Sequence, residues 1–323
     1  MKVCIVGAGA IGGFLGARLA ASGADVTALA RGETLRALRE DGWRLQSGDV
    51  LTTAPAIASD RAADLGPQDL VVLAVKSPAL PGLAPTLGPL LGKSTAVMPA
   101  MNGVPWWFCH GVRGFEQPLQ TVDPGGAISR AIDISRVVGC VVHASASSSQ
   151  PGCIRHHFGR ELIVGEPLRV RSERVRRIAD LLAQAGFEVT VSDNIRQAIW
   201  YKLWGNMTVN PISAITGATG DMVIAEPLVR AFCSEIMREA AQVGACVGCE
   251  ISQTPEDRHA VTGKLGAFRP SMLQDVESGR TVELDALVGA VHEIAGRVGV
   301  GVPSIGALLG LARLFARVRG LLP

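Results

Sequence analysis

The chain has 323 residues, enough for about two domains at the usual ~150 residues each. Hydrophobic residues make up 48% and charged residues 19%, which excludes a disordered chain and allows a sizeable core. Lys and Arg number 31 against 29 Asp and Glu, a net charge of +2. That balance argues against a dedicated nucleic-acid or anionic-membrane surface.

The chain opens on a short apolar run at residues 3–6, strand-like in length, and a helical pattern follows at 14–21. Between them stands Gly7-Ala8-Gly9-Ala10-Ile11-Gly12, a G-x-G-x-x-G. Gly7 permits a tight turn, and Gly9 lets the backbone approach a pyrophosphate. Gly12 lets helix and strand pack closely, so that the helix N-terminal N–H groups face the phosphates. These six residues are the candidate cofactor turn. Lys2 and the apolar run superficially resemble a signal peptide, but the glycine spacing has this other meaning and no convincing small-residue cleavage site follows. The most apolar C-terminal stretch, 298–312, is broken by Gly301, Pro303 and Gly306, so no membrane span is expected. The expected location is cytoplasmic.

A second strand at 26–30 ends in Arg31. NAD sites usually place Asp or Glu there for the ribose 2′-hydroxyl, whereas a cation suits a 2′-phosphate. The expected cofactor is therefore NADP(H), with Glu33 the nearby carboxylate that could serve NAD. Further strands at 70–75 and 95–98, separated by helix-length segments, complete a βαβ pattern and predict a parallel sheet. Lys76 ends the first of these and Asn102-Gly103 follows the second, positions where such a sheet gathers ligand-binding residues. The cluster Trp106-Trp107-Phe108 either lines a pocket or packs a lid or an exposed interface. From 136 to 162 the apolar runs lie closer together, and the Ser-rich stretch 143–152 reads as a loop or hairpin connection. Arg169, Arg171, Arg174, Arg176 and Arg177 read as a solvated helix face, since no aromatic residues are interleaved with them.

Beyond about residue 192 the patterns lengthen, with apolar residues at helical spacing over 192–208, 226–243 and 282–298. Glu226-Pro227 makes a good helix start. The reading is an α/β dinucleotide-binding domain over 1–192 and an all-α substrate domain over 193–323. Seven scattered cysteines favour free thiols. Cys246 and Cys249 form a C-x-x-C without a second ligand pair, so no metal site is expected.

Only five of the 31 basic residues are lysine, which invites a chemical reason for each. Lys202 shares a stripe at i, i+4 and i+8 with Asn206 and Asn210 on an otherwise apolar, aromatic-rich helix. Buried polar groups need partners, and a ligand bearing a carbonyl and a carboxylate would supply them. The plain alternative is a snorkelling lysine with two asparagines bonded to a neighbouring loop. A lysine ammonium of lowered pKa is a sensible proton donor to a carbonyl oxygen receiving hydride. A carboxylate usually orients such a lysine, and Glu283 on the pattern at 282–298 is a candidate. Ser271 heads Ser271-Met272-Leu273-Gln274, an S-x-x-Q capping box opening a helix.

Taken together, GAGAIGG at 7–13, Arg31, the Val-Lys of AVKSP, the Asn-Gly of MNGVPWW, KLWGNMTVNPISAITG at 202–217 and PSMLQDVESGRTVELDA at 270–286 resemble the ketopantoate reductase (2-dehydropantoate 2-reductase) family. The resemblance covers nearly the whole chain. It implies a Rossmann domain followed by a helical domain like the C-terminal domain of 6-phosphogluconate dehydrogenase, with the site in the cleft. It implies NADPH-dependent reduction of 2-dehydropantoate to (R)-pantoate, toward pantothenate and coenzyme A. By the same resemblance Lys202 is the proton donor, and Asn102 lies near nicotinamide and substrate. Asn206, Asn210 and Ser271 bind substrate, and Arg31 and Lys76 bind cofactor. Glu283 contacts the cofactor and supports the site. The expected partner is a small-molecule 2-oxo acid, and the expected assembly a monomer or homodimer. Three departures bear on substrate: the 106–108 cluster, the Ser-rich 145–149, and Gly220 where some members carry asparagine. The competing readings are a reductase of another 2-oxo or 3-hydroxy acid and a non-catalytic NADP(H)-binding sensor. The sensor would be expected to lack Lys202 or Glu283.

Overall fold

The computed structural model describes residues 1–322. The chain divides into two units, one made of Met1–Met101 and Gly126–Ala198, the other of Asn102–Gly125 and the residues from Ile199 onward. This differs from a single cut near Ser192, because the segment Asn102–Gly125 buries its aromatic residues among the helices of the second unit.

The first unit carries ten strands: β1 (Lys2–Val6), β2 (Asp25–Leu29), β3 (Trp43–Ser47), β4 (Val50–Ala54), β5 (Ile57–Ser59), β6 (Gln68–Leu73), β7 (Leu91–Pro99), β8 (Gly139–Gln150), β9 (Cys153–Gly165) and β10 (Glu188–Val191). Five form a parallel sheet in the order β5-β2-β1-β6-β7. Val3, Cys4, Ile5, Leu70, Val71 and Val72 are completely buried, as near-continuous apolar runs must be when both faces of a parallel sheet are covered. In the second sheet β9 runs parallel to β3 and β10 and antiparallel to β8. Of the loop and the hairpin connection expected for the Ser-rich stretch, the structure has the hairpin: the stretch is the end of a strand and its turn. Residues up to Gln150 pair with β9, and only Pro151-Gly152 form the connection.

The helix Ala10–Ala21 lies between the two sheets, which explains its many small residues. A Cβ on Gly13 would sit 2.5 Å from Ile154 of β9, and one on Gly16 would sit 2.4 Å from the ring of Trp43 on β3. Such a helix is buried on several sides and needs no single apolar stripe. The arginine run is solvated only in part. Arg171 and Arg176 pair with Asp193 and Glu173 at the surface. Arg174 instead grips Glu166, which is 5% exposed, and donates to the Val137 carbonyl. A carboxylate so buried requires that partner.

The second unit is helical: Pro227–Cys246, Pro255–Gly263, Ser271–Glu277, Ala290–Val298 and Pro303–Val318 join the long helix Ile195–Thr216. That long helix runs past the expected end at 208 and through Pro211. Met207, Val209, Ile212 and Ala214 are all buried, and this burial offsets the roughly 3 kcal/mol that an interior proline costs. Trp200 and Trp204, one turn apart, donate their indole N–H groups to the carbonyls of Ala240 and Met237. The helix starts are capped by side chains: Glu226 accepts from Val229, Thr254 and Asp257 form a capping box, and Glu239 accepts from Ser304 and Ile305. The capping box expected at Ser271 does not form, because Gln274 donates to the Arg269 carbonyl and Pro270 is the N-cap. All seven cysteines are free thiols; Cys249 is buried while Cys246 is exposed. Among the described residues no helix is long and apolar enough to cross a membrane.

The fit of Gly16 against Trp43 leaves no room for a methyl group. Gly16→Ala is expected to lower unfolding free energy by roughly 1–3 kcal/mol through overpacking, read from the urea midpoint. An unchanged midpoint would show that the Trp43 ring moves aside freely.

Candidate active site

In the parallel sheet β1 lies between β2 and β6, so the chain direction diverges at its C-terminal end, where open α/β sheets bind ligands. The glycine turn follows β1 at that edge. Gly7 has φ +90°, and its N–H donates to the Leu29 carbonyl at the end of β2. A Cβ on Gly12 would lie 1.9 Å from the Gly7 carbonyl oxygen, so only glycine fits. Gly9 is exposed, and a Cβ there would meet nothing within 4 Å. Open space thus faces the first turn of the helix, whose leading N–H groups have no partner within the helix. The turn fits the pyrophosphate of a dinucleotide on these grounds, with Ala8, Ala10 and Ile11 filling it out. At the same sheet edge, Arg31 is exposed and extended just beyond β2, and Lys76 is half-buried just beyond β6. Glu33 pairs with Arg36 on its own helix.

In the second unit the Lys202 ammonium donates to Asn102 Oδ1 at 2.8 Å. Lys202 and Asn206 are half-buried, and Asn210 is 6% exposed. Asn210 Nδ2 reaches Ser271 Oγ at 3.5 Å, a long contact at the limit of a hydrogen bond. The structure therefore joins the candidates in two pairs, Lys202 with Asn102 and Asn210 with Ser271, along one helix. Glu283 is half-buried and lies just before the first helical residue, Leu284, rather than on a helix as the pattern at 282–298 suggested.

The segment that carries Asn102 is fastened to the helical region after Glu283 at two places. Val104 N–H donates to the Ala286 carbonyl at 2.8 Å. Further on, the Glu293 carboxylate accepts from Gln120 N–H (2.9 Å), Thr121 N–H (2.8 Å) and the Thr121 hydroxyl (2.5 Å), while Arg297 donates to it and to the carbonyls of Gln117 and Pro118. Gly289 lets Thr121 come close, since a Cβ there would lie 2.8 Å from its methyl group. Sequence reasoning missed this clamp; its only linear trace is the Glu293-to-Arg297 spacing on one helix face.

The cluster Trp106-Trp107-Phe108 belongs to the same anchorage. The three side chains are 6%, 3% and 1% exposed, and the Phe108 ring stacks on Trp200 with centroids 5.5 Å apart. An exposed aromatic interface is therefore not formed by these residues; they are the hydrophobic root of the segment.

Burial alone would raise the Glu293 carboxyl pKa, but the Thr121 hydroxyl, the Thr121 and Gln120 N–H groups and Arg297 together hold it below its ordinary 4.5. A carboxyl depressed in the folded state stabilises the fold fully above its unfolded value and loses that contribution as pH falls further. Glu293→Gln is thus expected to melt below the parent at neutral pH, with the gap in Tm closing below pH 4.5. A gap independent of pH would show that the charge of Glu293 is irrelevant to the clamp.

The family model described as Ketopantoate reductase PanE/ApbA matches residues 3–168, and its C-terminal counterpart matches residues 194–316. A 2-dehydropantoate 2-reductase of Mesorhizobium japonicum is 44% identical, with 99% of each chain covered. One from Halobacterium salinarum is 29% identical, covering 98% of this chain and 99% of its own. Among solved structures, a PanE/ApbA family ketopantoate reductase from Ralstonia eutropha superposes with TM-score 0.85 at 27% identity, covering 99% and 100% of the two chains. A D-mandelate dehydrogenase bound to NADH and anilino(oxo)acetate reaches TM-score 0.84 at 21% identity over 99% and 100%, a likeness of fold alone. With a Rossmann-type unit, a helical unit and these matches over nearly its full length, the chain belongs to the ketopantoate reductase family of oxidoreductases.

Proposed function

We propose that this chain reduces 2-dehydropantoate to (R)-pantoate with NADPH, toward pantothenate and coenzyme A, as a cytoplasmic enzyme that takes a small-molecule 2-oxo acid and works as a monomer or homodimer. The observation that carries the reading is the hydrogen bond from Lys202 to Asn102, set on a half-buried stripe that includes Asn206. Asn102 gives the ammonium a fixed acceptor, and a positioned ammonium is the kind of acid that a carbonyl oxygen receiving hydride requires.

When bound, the reduced nicotinamide supplies the hydride. The turn at Gly7–Gly12 would hold the pyrophosphate, Arg31 the 2′-phosphate, and Lys76 a further cofactor contact. Engagement of Glu33 by Arg36 supports the assignment of NADPH over NADH, because the carboxylate two residues beyond Arg31 already has a cation. Surface pairs of this kind are weak, so the exposed cation at Arg31 is the stronger argument. Lys202 delivers the proton to the alkoxide oxygen that forms at the substrate's C2. Asn102 fixes the ammonium, and Glu283, at the head of the helical segment that receives Val104, is the supporting carboxylate and a further cofactor contact. Asn206, Asn210 and Ser271 receive the polar groups of the substrate. Among the described residues no hydrogen bond engages the Asn206 amide, which leaves it open to a ligand.

Steady-state assays of nicotinamide absorbance, with NADPH and NADH against 2-dehydropantoate and other 2-oxo acids, test the reading. The expected result is preference for NADPH and 2-dehydropantoate. Lys202→Ala should lower kcat by roughly 10²- to 10⁴-fold, the usual worth of a positioned acid. Turnover of a different 2-oxo acid alone would move the substrate; full activity in Lys202→Ala would overturn the mechanism. Separately, Arg31→Ala should raise KM for NADPH roughly tenfold or more, the worth of a charge-assisted hydrogen bond, while leaving KM for NADH nearly unchanged. Equal effects on both cofactors would remove Arg31 from the 2′-phosphate.

A further inference from the structure

We infer that Gly103, pressed against the Ala286 carbonyl, is a positioning residue that sets where Asn102 holds the Lys202 ammonium. The catalytic part of this inference rests on the function proposed above; the positioning part does not.

Two features of the backbone carry it. Asp285–Gly289 is a π turn, wider than an α-helix. In an α-helix the Ala290 N–H would bond to the Ala286 carbonyl; here it bonds to Asp285, and the Ala286 carbonyl accepts the Val104 N–H at 2.8 Å. Gly103 sits in the same contact with φ +84°, a conformation that favours glycine. A Cβ on Gly103 would stand 2.5 Å from the Ala286 oxygen, 2.6 Å from its carbonyl carbon and 2.8 Å from its Cβ. Two of those three atoms are backbone, and Ala286 is buried, so the neighbour cannot yield. The chain is thus seated against the π turn immediately after Asn102, whose Oδ1 accepts from Lys202. Shifting that seat moves the acceptor away from the ammonium. The helical segment beginning just after Glu283 therefore sets the position of the lysine's partner through one backbone hydrogen bond and one missing side chain.

Gly103→Ala adds both the strain of positive φ and the collision. Gly114→Ala is the control, since Gly114 lies in the same segment at φ +85° with nothing within 4 Å of its would-be Cβ. Ala286→Val presses on the contact from the other side and keeps the test open if Gly103→Ala does not fold. The primary readout is competitive acylation of the five lysines across pH, resolved by mass spectrometry, in protein shown folded by circular dichroism. Loss of an acceptor that favours the charged ammonium lowers the pH midpoint for labelling. Gly103→Ala and Ala286→Val are expected to lower the Lys202 midpoint as Asn102→Ala does, whereas Gly114→Ala leaves it at the parental value.

In single-turnover hydride transfer, Gly103→Ala should lose roughly 10- to 100-fold, as small misplacements of reacting groups do. It should lose little more in an Asn102→Ala background. A parental labelling profile in both seat variants, or losses that multiply independently with Asn102→Ala, would overturn the inference. If the seat variants shift Lys202 labelling but the parent reduces no 2-oxo acid, the positioning stands and the proposed function fails.

Discussion

An ammonium on an apolar helix is tolerated only where an acceptor is brought to it, because a charge withdrawn from water must be compensated. Here one such acceptor is Asn102 Oδ1, 2.8 Å from Lys202 and a hundred residues away in sequence. The segment that carries this oxygen is anchored along its length. The segment Asn102–Gly125 leaves the α/β unit to pack with the helices. Its aromatic residues are buried, its start is seated on Ala286, and its far end is gripped by Glu293 and Arg297. Buried carboxylates and close glycine contacts are local costs, and each is met by a specific partner rather than by general burial.

The first unit solves a different problem with the same means. Its helix Ala10–Ala21 carries glycine at three places where another backbone or side chain comes close: Gly12 toward the glycine turn, Gly13 toward Ile154 of β9, Gly16 toward Trp43 of β3. Close packing on three sides fixes the helix axis, and with it the leading N–H groups where a phosphate would sit. Gly9, facing open space, is the exception in that series, and its freedom is what a ligand would use.

The parallel sheet was legible in the linear sequence because its strands are short apolar runs with helix-length spacers, and β1, β2 and β6 stand close to where the pattern put them. The Lys202 stripe was legible because helical periodicity places i and i+4 on one face. Less was visible wherever partners are remote in sequence. Arg174 looked like one more surface arginine, since nothing linear marks Glu166 as its buried partner. Ser271 and Gln274 matched a capping box, but Pro270 takes the N-cap position and Gln274 turns to Arg269. Trp106, Trp107 and Phe108 read equally as pocket, lid or interface until Trp200 was placed against Phe108. The Asn-Gly pair at 102–103 stood out as following a strand where ligands gather, but nothing linear marked the helical carbonyl against which it is seated.

The central claim is that Lys202, held by Asn102, presents a proton to the oxygen of a 2-oxo acid. A crystal structure of the protein with oxidised NADP and an unreactive 2-oxo acid analogue tests it most directly. The account predicts the analogue's C2 oxygen within hydrogen-bond distance of Lys202 Nζ, with the contact to Asn102 Oδ1 retained and Ser271 or Asn206 on the acid's other polar groups. An analogue bound in that complex with its C2 oxygen away from Lys202, and no rearrangement bringing the lysine to it, would contradict the account.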